Sequence, residues 1–433
     1  MKKLPLILIL LILPYSVWAT NYYIAAAGSG ETCSSETPCA LATAVAAAGN
    51  EDTIFFKSDD TWESASNHVI NATTAGVSYD GSTYGTGTRA TLKATGALDA
   101  VVKLSASTLS FKGFNIDMNS QNTGGIHIGT YATSDVSGIT VDDCKVHTSR
   151  IPSGSYNYGI HVGGYTAANV DVDTVTITNT EVYDTGHEAF AIYPTWTRAG
   201  CTAKNVIIRN CSGHGAGIDG NDWGHGLYVT NTVENLTVEF SSFYSNDVGA
   251  AVGTSTTYTG TPTGIILRYN LIYNNTEAQF TLGPSDATNG ITGTVDIYGN
   301  IIYGSAGDNI YISGDLNTST INFYNNTVYS MSGAYYDFYL YSVDGTPTIN
   351  LKNNIFIADN FYLMKFNTVA DEALVTHSNN ILYRITGSTN QWYIINDVAY
   401  TAANVIDTWD ATAQNTNPSF TGGTLPAGFS GTY

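Results

Sequence analysis

The sequence predicts an all-β protein, a parallel β-solenoid, from three observations. A column of small polar residues recurs about every 30 positions, with steps of 26 to 36 residues. Each member of the column follows an alternating strand and precedes two or three apolar residues. A second strand lies about 16 to 20 residues before most members. The column contains Cys144, Thr180, Cys211, Ser242, Asn270, Asn300, Asn326, Asn354 and Asn380. Self-similarity at a fixed period of this length is typical of repeat architectures.

The repeat unit is built from strands because its apolar residues alternate with period two. Ile321 and Phe323 alternate with Asn322, and Ile349 and Leu351 repeat that pattern one unit later. Turn residues, and no helical pattern, lie between the units. Such a coil buries its apolar side chains by stacking on its neighbour, which pairs equivalent strands in parallel at a spacing of ~4.8 Å.

Asparagine suits the corner that follows the first strand. Its side-chain amide donates and accepts hydrogen bonds, so it satisfies buried backbone groups that a bend leaves unpaired. We therefore expect Asn270, Asn300, Asn326, Asn354 and Asn380 to form one inward ladder. The Cys, Thr and Ser members interrupt that ladder.

With this ladder and the recurring Asn-Asn-x-Ile/Val-Tyr/Phe corner, residues 107–386 resemble the right-handed parallel β-helix proteins of the pectate-lyase-like superfamily. Residues 33–56 are similar to that family's entry segment, where a short alanine-rich helix caps the core and a first strand follows. The helix-forming run at 40–48 ends at Gly49, as the resemblance implies. The fold hosts lyases, hydrolases, epimerases, esterases and adhesins, so the resemblance indicates the fold rather than the chemistry.

The chain is expected to be one domain behind a signal peptide. Lys2 and Lys3 precede a short apolar run, and Ala19 ends a small-residue cleavage site, so residues 1–19 read as a secretory signal peptide. Residues 20–433 then form a single β-helix domain. It has an N-terminal cap and first coils at 20–106, regular coils at 107–386 and an irregular C-terminal cap at 387–433. This organisation predicts a secreted or cell-surface monomer.

The composition disfavours two classes of partner. Without Lys2 and Lys3, 14 basic residues face 36 acidic ones, a formal charge of −22. Nucleic acids and anionic membranes need clusters of Lys and Arg, so both are disfavoured. No second long apolar run is present, so no membrane insertion of the mature chain is expected. The surface is polar through hydroxyl and amide groups, and the expected partner, from the family resemblance and the aromatic side chains near the candidate site, is a polysaccharide or a cell-surface glycan.

Five cysteines in an exported chain suggest disulfides. Cys33 and Cys39 flank a short loop beside the predicted cap, and we expect them to be bonded. Cys144 and Cys211 lie two coils apart, which is too far for a direct bond. Cys201 is either free or bonded to Cys211, and the spacing does not separate these alternatives.

The candidate site follows from aligning the second strands of the coils. One outward column reads His127, His161, Ala191, Tyr228, Ala251, Thr281, Tyr311 and Tyr339. The column two residues earlier reads Tyr158, Glu188 and His225. Neighbouring loops add His187, Tyr193, Trp196, Asp219, Asp222 and Trp223. Five of the eight histidines fall within about three coils of this region, so side chains suited to proton transfer are concentrated here.

Residue types suggest the roles at this site. A carboxylate beside an imidazole suits proton transfer, and two carboxylates facing a sugar suit glycoside cleavage. We therefore predict a catalytic set of Glu188, Asp219, Asp222 and His225. The predicted substrate-binding set is His127, His161, Tyr193, Trp196, Trp223 and Tyr228. Residues 219–226 also resemble the Asp and Gly-His-Gly elements of polygalacturonase-like β-helix hydrolases, although here the two elements are fused in one loop.

Structural alternatives remain for several of these residues. His127 and His161 could simply stack on their copies in adjacent coils. Asp219 and Asp222 lie in a Gly- and Asn-rich loop, where aspartate often caps a turn. Glu188 beside an apolar strand is the hardest to explain without a function.

Calcium is the one cofactor left open by the sequence. The acidic pairs Asp142–Asp143 and Asp171–Asp173 could bind it, but no ligand set with regular spacing appears.

Two functions are compatible with the sequence. The first is a carbohydrate-active enzyme, a glycosidase or lyase acting on an extracellular polysaccharide. The alternative is a non-catalytic adhesin or glycan-binding structural protein. Basic residues near the predicted site are few, which favours acid–base hydrolysis over elimination from a cation-neutralised uronate. Those basic residues are Arg150, Arg198, Lys204 and Arg209.

Overall fold

The computed structural model describes a solenoid whose coils each cross three sheets. The described residues are 19–149, 157–164, 170–194, 201–217, 224–253, 260–283, 290–330, 335–359, 362–385, 393–396, 398–400, 412–414 and 418. Within them, strands pair in parallel with their copies one coil away, and a hairpin at the C-terminal end is antiparallel. The predicted all-β parallel solenoid is therefore confirmed. The predicted signal peptide lies outside the described residues, apart from Ala19.

Sheet 1 holds the strands that precede the polar corner. Its 13 strands are β1 (Asn21–Ile24), β2 (Thr53–Lys57), β5 (Ser78–Tyr84), β8 (Ser110–Lys112), β11 (Val136–Asp142), β14 (Val172–Thr178), β17 (Ala203–Arg209), β20 (Val233–Glu239), β23 (Thr263–Arg268), β26 (Thr294–Tyr298), β29 (Thr320–Tyr324), β32 (Thr348–Lys352) and β35 (Val375–Ser378).

Sheet 2 holds the short strands that follow that corner. Its 12 strands are β3 (Thr61–Ser64), β6 (Ala90–Ala94), β9 (Phe114–Asp117), β12 (Lys145–His147), β15 (Glu181–Tyr183), β18 (Ser212–His214), β21 (Ser242–Tyr244), β24 (Leu271–Tyr273), β27 (Ile301–Tyr303), β30 (Thr327–Ser330), β33 (Ile355–Ala358) and β36 (Ile381–Arg384).

Sheet 3 completes each coil and carries the predicted site. Its 13 strands are β4 (Ile70–Ala72), β7 (Ala100–Leu104), β10 (Gly124–Ile128), β13 (Ile160–Val162), β16 (Phe190–Ile192), β19 (His225–Val229), β22 (Val248–Val252), β25 (Ala278–Leu282), β28 (Asp308–Asp315), β31 (Tyr336–Asp344), β34 (Tyr362–Phe366), β37 (Tyr393–Ile395) and β38 (Val398–Tyr400).

The period-two pattern decides which side chains fill the core. Phe323 on sheet 1 and Phe338 on sheet 3 are fully buried, and their rings meet edge to face with centroids 6.3 Å apart. Ile310 lies directly beside Phe338 in the strand pairing. One continuous apolar core therefore runs along the axis, as expected when identical faces stack coil after coil.

The predicted asparagine ladder is confirmed. Asn300 Oδ1 accepts hydrogen bonds from the backbone N (2.9 Å) and Nδ2 (3.1 Å) of Asn270. Asn326 Oδ1 does the same for Asn300, at 3.0 Å for both bonds. The pattern continues through Asn354 to Asn380. Each Nδ2 group also donates to a sheet 1 carbonyl, so the corner leaves few buried polar groups unpaired.

One member of the predicted column is wrong by one residue. Ser241, rather than Ser242, occupies the ladder position: its Oγ accepts from Cys211 N at 3.1 Å, and its N donates to Asn270 Oδ1 at 3.0 Å. Ser242 belongs to β21 and pairs with Ser212. Two adjacent serines offer the same hydroxyl, and the periodicity varies too much to separate neighbouring positions.

A second amide ladder, which the sequence analysis missed, lines the corner between sheets 2 and 3. Asn275 Oδ1 accepts from Asn246 N (3.0 Å) and Nδ2 (3.1 Å), and Asn246 Oδ1 accepts from Ala216 N at 2.9 Å. Asn275 N donates to Gln279 Oε1. The corner between sheets 1 and 2 and the corner between sheets 2 and 3 therefore both satisfy buried backbone groups with side-chain amides.

Asp337, near the start of β31 on sheet 3, is fully buried. Asn309 Nδ2 donates to Asp337 Oδ1 at 2.8 Å, and the Ser330 hydroxyl also donates to that oxygen. Burial raises the pKa of Asp337 well above its ordinary value, and the hydrogen bonds from Ser330 and Asn309 only partly offset this effect. The folded protein therefore holds this carboxyl in its neutral form.

Replacing Asp337 with asparagine should stabilise the protein at neutral and alkaline pH. Because the folded-state pKa is raised, the stabilising contribution of the protonated acid is complete below the unfolded pKa of about 3.9 and is lost as pH rises through the folded pKa. An amide has no proton to lose. We expect a gain of about 1–3 kcal/mol at pH 8 that shrinks towards zero near pH 4. Thermal unfolding of both forms across this range is the measurement, and parallel pH profiles would contradict the prediction.

The N-terminal end differs in one respect from the expected entry segment. Helix α1 (Leu41–Ala47) is present, and its Ala44 is buried in the core. However, β1 precedes the helix and pairs with β2, so the strand at Thr53 is the second strand rather than the first. Asp52 fixes this junction, because its carboxylate accepts from Thr20 N and Gly49 N, both at 2.7 Å.

A disulfide joins Cys33 and Cys39 beside β1, while Cys144, Cys201 and Cys211 are free and buried. At the other end, α2 (Val369–Ala373) follows β34 and carries a capping box between Thr368 and Asp371.

Only parts of the predicted C-terminal cap are described. They are the hairpin of β37 and β38 and a bridge from Gln414 to Ile381 at the end of sheet 2. Among the described residues, no helix is long and apolar enough to span a membrane.

Candidate functional site

Strand register confirms the outward columns on sheet 3. His127 pairs with His161, which pairs with Ala191, which pairs with Tyr228. Phe190 pairs with Leu227, so Glu188 and His225, each two residues earlier, occupy equivalent positions on adjacent coils. The parallel spacing of strands therefore brings residues from four coils into one group. We call this group the Glu188 cluster; it consists of His127, Tyr158, His161, His187, Glu188, Tyr193, His225 and Tyr228.

Glu188 lies between two imidazoles. His187 Nδ1 contacts Glu188 Oε2 at hydrogen-bond distance, and His225 Nδ1 lies 3.7 Å from Glu188 Oε1. The Glu188 side chain is only 3% exposed, whereas that of His187 is 14% exposed. A buried carboxylate is costly unless it is paired, and the two imidazoles supply the pairing.

The carboxylate shifts the proton affinity of its neighbour. Burial by itself lowers the pKa of His187, but the charge of Glu188 and its hydrogen bond outweigh burial, so the pKa of His187 rises above its ordinary value of 6.5. Burial and, secondarily, the Glu188 charge raise the pKa of Tyr228 to about 12. At neutral pH the cluster therefore presents a phenol that keeps its proton and an imidazole that is readily protonated.

His161 has a supporting position within the cluster. Its Nε2 lies 3.0 Å from the Tyr193 carbonyl oxygen, and its Nδ1 lies 2.9 Å from Thr130 Oγ1. Burial lowers the pKa of His161 to about 4, so the ring is neutral at pH 7. Because a carbonyl only accepts, Nε2 carries the proton, and Nδ1 shares the single Thr130 hydroxyl proton with the Gly163 carbonyl oxygen, which lies 3.0 Å from Thr130 Oγ1. Both nitrogens are then used by the protein.

The His127 ring lies over Gly124, at the position that larger side chains occupy on the next two coils. A Cβ atom at Gly124 would lie 2.2 Å from His127 Nε2, so the ring occupies the position taken by Tyr158 and Glu188 on the next two coils. Burial is the main cause that lowers the pKa of His127 well below its ordinary value. His127 thus ends the cluster as a neutral, packed ring, 5.5 Å from His161.

Tyrosines join the imidazoles into one packed unit. Tyr158 meets His187 (5.7 Å) and Tyr193 (5.7 Å) edge to face. Tyr228 packs on His225 at 4.8 Å and against Tyr193 at 5.9 Å. Tyr158 and His187 were outside the predicted site set, although both stand beside its members in the coil alignment. That they pack within the cluster follows from the edge-to-face contacts, which the sequence does not show.

Several predicted residues lie outside the described part of the chain. They are Asp219, Asp222, Trp196 and Trp223, together with Arg150 and Arg198. The structure therefore brings together Glu188, His225, Tyr228, Tyr193, His161 and His127, and the roles of all the predicted site residues remain predictions.

Two of the basic residues considered for the site lie on another sheet. Lys204 and Arg209 belong to β17 of sheet 1, where they pair with Asp171 (3.3 Å) and Glu239 (2.5 Å). Lys103, on sheet 3, is nearly buried and pairs with Asp99 at 2.9 Å while its Nζ lies 3.9 Å from the centroid of the Tyr131 ring. These cations are already engaged by protein groups.

The acidic pairs considered for calcium also have protein partners. Asp171 Oδ1 accepts from Thr202 N at 2.8 Å, and Asp142 Oδ1 accepts from Thr178 Oγ1 at 2.7 Å. Asp143 pairs with Arg89. In the part of the chain that the structure describes, no group of three or more His, Cys, Asp or Glu side chains could hold a metal ion.

The chain matches no protein-family model and no curated protein. Among solved structures it is similar to the Dettilon tailspike protein, with a TM-score of 0.54 and 11% identity over 86% of this chain and 68% of that chain. It is also similar to the A-module of the mannuronan C-5 epimerase AlgE4 of Azotobacter vinelandii, with a TM-score of 0.53 and 12% identity over 87% and 99% of the two chains. Pectate lyase Pel9A matches with a TM-score of 0.44 and 13% identity over 93% and 83%. The resemblance predicted from the asparagine ladder is confirmed for the fold: the chain is a parallel β-helix protein.

Proposed function

We propose that the chain is an exported carbohydrate-active protein that cleaves a glycosidic bond of an extended polysaccharide by acid–base chemistry at the Glu188 cluster. The observation that carries this proposal is a carboxylate buried between two imidazoles on the outward face of sheet 3. Titratable groups with a shifted pKa, such as His187 beside this carboxylate, are concentrated at functional sites. The mannuronan epimerase, whose name gives a polysaccharide substrate, supports the substrate class by fold analogy only.

Exposure distinguishes the roles of the residues. Glu188 is too buried to touch a sugar directly, so we assign it as the positioning residue that keeps His187 protonated and oriented. His187 and Tyr228 form the partly exposed rim of the cluster. His187 then protonates the leaving glycosidic oxygen as general acid, and the Tyr228 hydroxyl donates a hydrogen bond to the sugar.

The charges favour hydrolysis over elimination. Cleavage of a uronate by elimination requires a cation near the sugar carboxylate. Lys103, on the same sheet as the cluster, is paired with Asp99. Lys204 and Arg209 lie on sheet 1 and are paired with acids there. Hydrolysis also needs a group that activates water. That role remains a prediction for Asp219 or Asp222.

The alternative is a non-catalytic glycan-binding or adhesive protein. One observation favours it: His161, Glu188 and His225 are only 2%, 2% and 7% exposed. A fully satisfied buried polar network rigidifies a fold without performing chemistry.

An activity panel separates these functions. The purified chain is incubated with polygalacturonate, polymannuronate, xylan and β-glucan, and reducing ends and the absorbance of unsaturated uronates are recorded together. Hydrolysis produces reducing ends alone, whereas elimination produces both signals. Binding in affinity electrophoresis with neither signal would overturn the proposed cleavage and support the adhesin.

The pH dependence of turnover should report the titration of His187. Because its folded pKa is raised, both the active imidazolium and the stabilising contribution of its pairing with Glu188 are complete below about pH 6.5 and are lost as pH rises through the folded pKa. We expect kcat/KM to fall on this alkaline limb. In His187→Gln, that limb should disappear together with most of the activity. An unchanged alkaline limb in the variant would contradict the assignment.

A further inference from the structure

A second cluster of aromatic and charged residues lies on sheet 3, three to five coils beyond Tyr228. Tyr311 pairs with Tyr339, which pairs with Lys365, in the same outward column that contains His161 and Tyr228. The neighbouring column, which contains Glu188 and His225, continues through Asp308 to Tyr336 and Tyr362. We call the five rings Tyr311, Tyr336, Tyr339, Tyr341 and Tyr362 the tyrosine cluster.

The rings of this cluster differ in orientation from the other long aromatic series of the protein. On sheet 2, His147, Tyr183, His214, Tyr244, Tyr273 and Tyr303 form a column with neighbouring centroids 4.5–5.3 Å apart and interplanar angles of 8–14°. Each inner ring of that column has both faces covered by its neighbours. It therefore offers only ring edges to a ligand.

In the tyrosine cluster Tyr339 crosses its neighbours, whereas Tyr311 with Tyr341 and Tyr336 with Tyr362 are stacked at interplanar angles of 25° and 27°. Tyr339 meets Tyr311 at 5.5 Å and 70°, Tyr336 at 5.0 Å and 49°, and Tyr341 at 5.6 Å and 66°. Crossed rings leave parts of their faces uncovered, and Tyr341 is 42% exposed. The C–H face of a pyranose ring can pack on such a surface, as other apolar groups pack on aromatic faces.

Polar groups lie among the rings. Lys365 Nζ is 5.3 Å from the Tyr336 centroid and 5.1 Å from the Tyr339 centroid. Asp308 Oδ1 is buried and has no hydrogen-bond partner among the described atoms. Burial raises the pKa of Asp308 to about 7, so at neutral pH this carboxyl can either donate or accept a hydrogen bond. The Asp308 carboxyl also accepts a hydrogen bond from the Tyr336 backbone, so Oδ1 is the oxygen that still lacks a partner among the described atoms.

We propose that the tyrosine cluster, with Asp308 and Lys365, is a second glycan-binding subsite that holds pyranose units of the polysaccharide acted on at the Glu188 cluster. This inference rests on the proposed function for the identity of the ligand. The subsite lies on the same columns as the Glu188 cluster, and the three strand steps from Tyr228 to Tyr311 correspond to about 14 Å. That separation spans several sugar units, so a ligand that reaches both clusters must be longer than a disaccharide.

The test measures binding separately from turnover. Affinities for the four polysaccharides of the panel, and for their disaccharide and octasaccharide fragments, are measured by calorimetry in the Glu188→Gln background. We expect Tyr341→Ala and Asp308→Asn each to weaken binding of the octasaccharide about tenfold or more and to leave disaccharide binding unchanged. Tyr273→Ala, in the stacked column of sheet 2, is the matched control and should change neither affinity.

The outcomes distinguish the two proposals. Equal octasaccharide affinity in Tyr341→Ala, Asp308→Asn and the parent would overturn the subsite. Binding that depends on Tyr341 and Asp308, in a wild-type chain that cleaves nothing, would overturn the cleavage and leave the subsite standing. A chain that binds none of the four polysaccharides would overturn both.

Discussion

Replacing Asn326 with leucine is expected to lower the free energy of unfolding by about 3 kcal/mol or more. The Asn326 side chain takes part in four hydrogen bonds: Oδ1 accepts from Asn300 N and Nδ2, and Nδ2 donates to Ile297 O and Asn354 Oδ1. Leucine has a similar size but makes none of them. Buried groups on the coils to either side are then left without partners, and each such loss costs about 1–3 kcal/mol.

The matched control for this substitution lies on the outside of the same coil. Asn322 belongs to a polar ladder on the outer face of sheet 1, where it donates to Asp296 at 2.7 Å and accepts from Asn350 at 2.8 Å. Water can replace these bonds, so Asn322→Ala should cost less than about 1 kcal/mol. Equilibrium denaturation of both variants gives the comparison. Equal midpoints for Asn326→Leu and the parent would show that the buried ladder does not stabilise the fold.

Replacing Glu188 with glutamine is expected to reduce turnover at least about 100-fold, corresponding to about 2.7 kcal/mol of lost transition-state stabilisation. Glutamine keeps the shape of the side chain but removes the charge that raises the pKa of His187. The imidazole then loses its proton at a lower pH and can no longer act as the acid near neutrality. Thermal stability should change by only about 1 kcal/mol, because His187 can become neutral once the Glu188 charge is removed.

Glu181→Gln is the control for the loss of a carboxylate beside an imidazole. Glu181 lies on sheet 2, where it contacts His214 at 3.3 Å and Lys145 at 2.8 Å, away from the proposed site. Its substitution should leave kcat/KM unchanged. If Glu188→Gln keeps full activity, or if both variants lose activity equally, the Glu188 cluster is not the active site.

The fold was predictable because one physical requirement repeats along the chain. Every coil must satisfy the same buried backbone groups, so asparagine recurs at the same corner and marks the period. The prediction failed where two residues meet that requirement equally well, as Ser241 and Ser242 do. The second ladder at Asn246 and Asn275 was missed because it is short and ends in a glutamine, Gln279, rather than another asparagine.

The site was predictable only as far as strand register determines it. Register alone places Glu188 beside His225, because equivalent positions on adjacent coils must be neighbours. It does not show that His187, which precedes Glu188 directly, turns back to bond its carboxylate. It also does not show burial: His127 and His161 lie at outward positions and yet are almost inaccessible. Neighbouring residues in three dimensions, rather than the column itself, decide those properties.

The unequal lengths of the coils have an evolutionary consequence. From β11 to β36, every strand of sheet 1 is separated from the following strand of sheet 2 by two residues, whereas the connection from sheet 3 to sheet 1 varies from three residues after β19 to eleven after β25. The connection from sheet 2 to sheet 3 varies from three residues after β21 to twelve after β12. Insertions and deletions are therefore tolerated on both borders of sheet 3 and excluded at the asparagine corner. The connections that flank sheet 3 can therefore be lengthened, shortened or exchanged without disturbing the asparagine ladder. New ligand specificities can arise on that face while the rest of the solenoid stays unchanged.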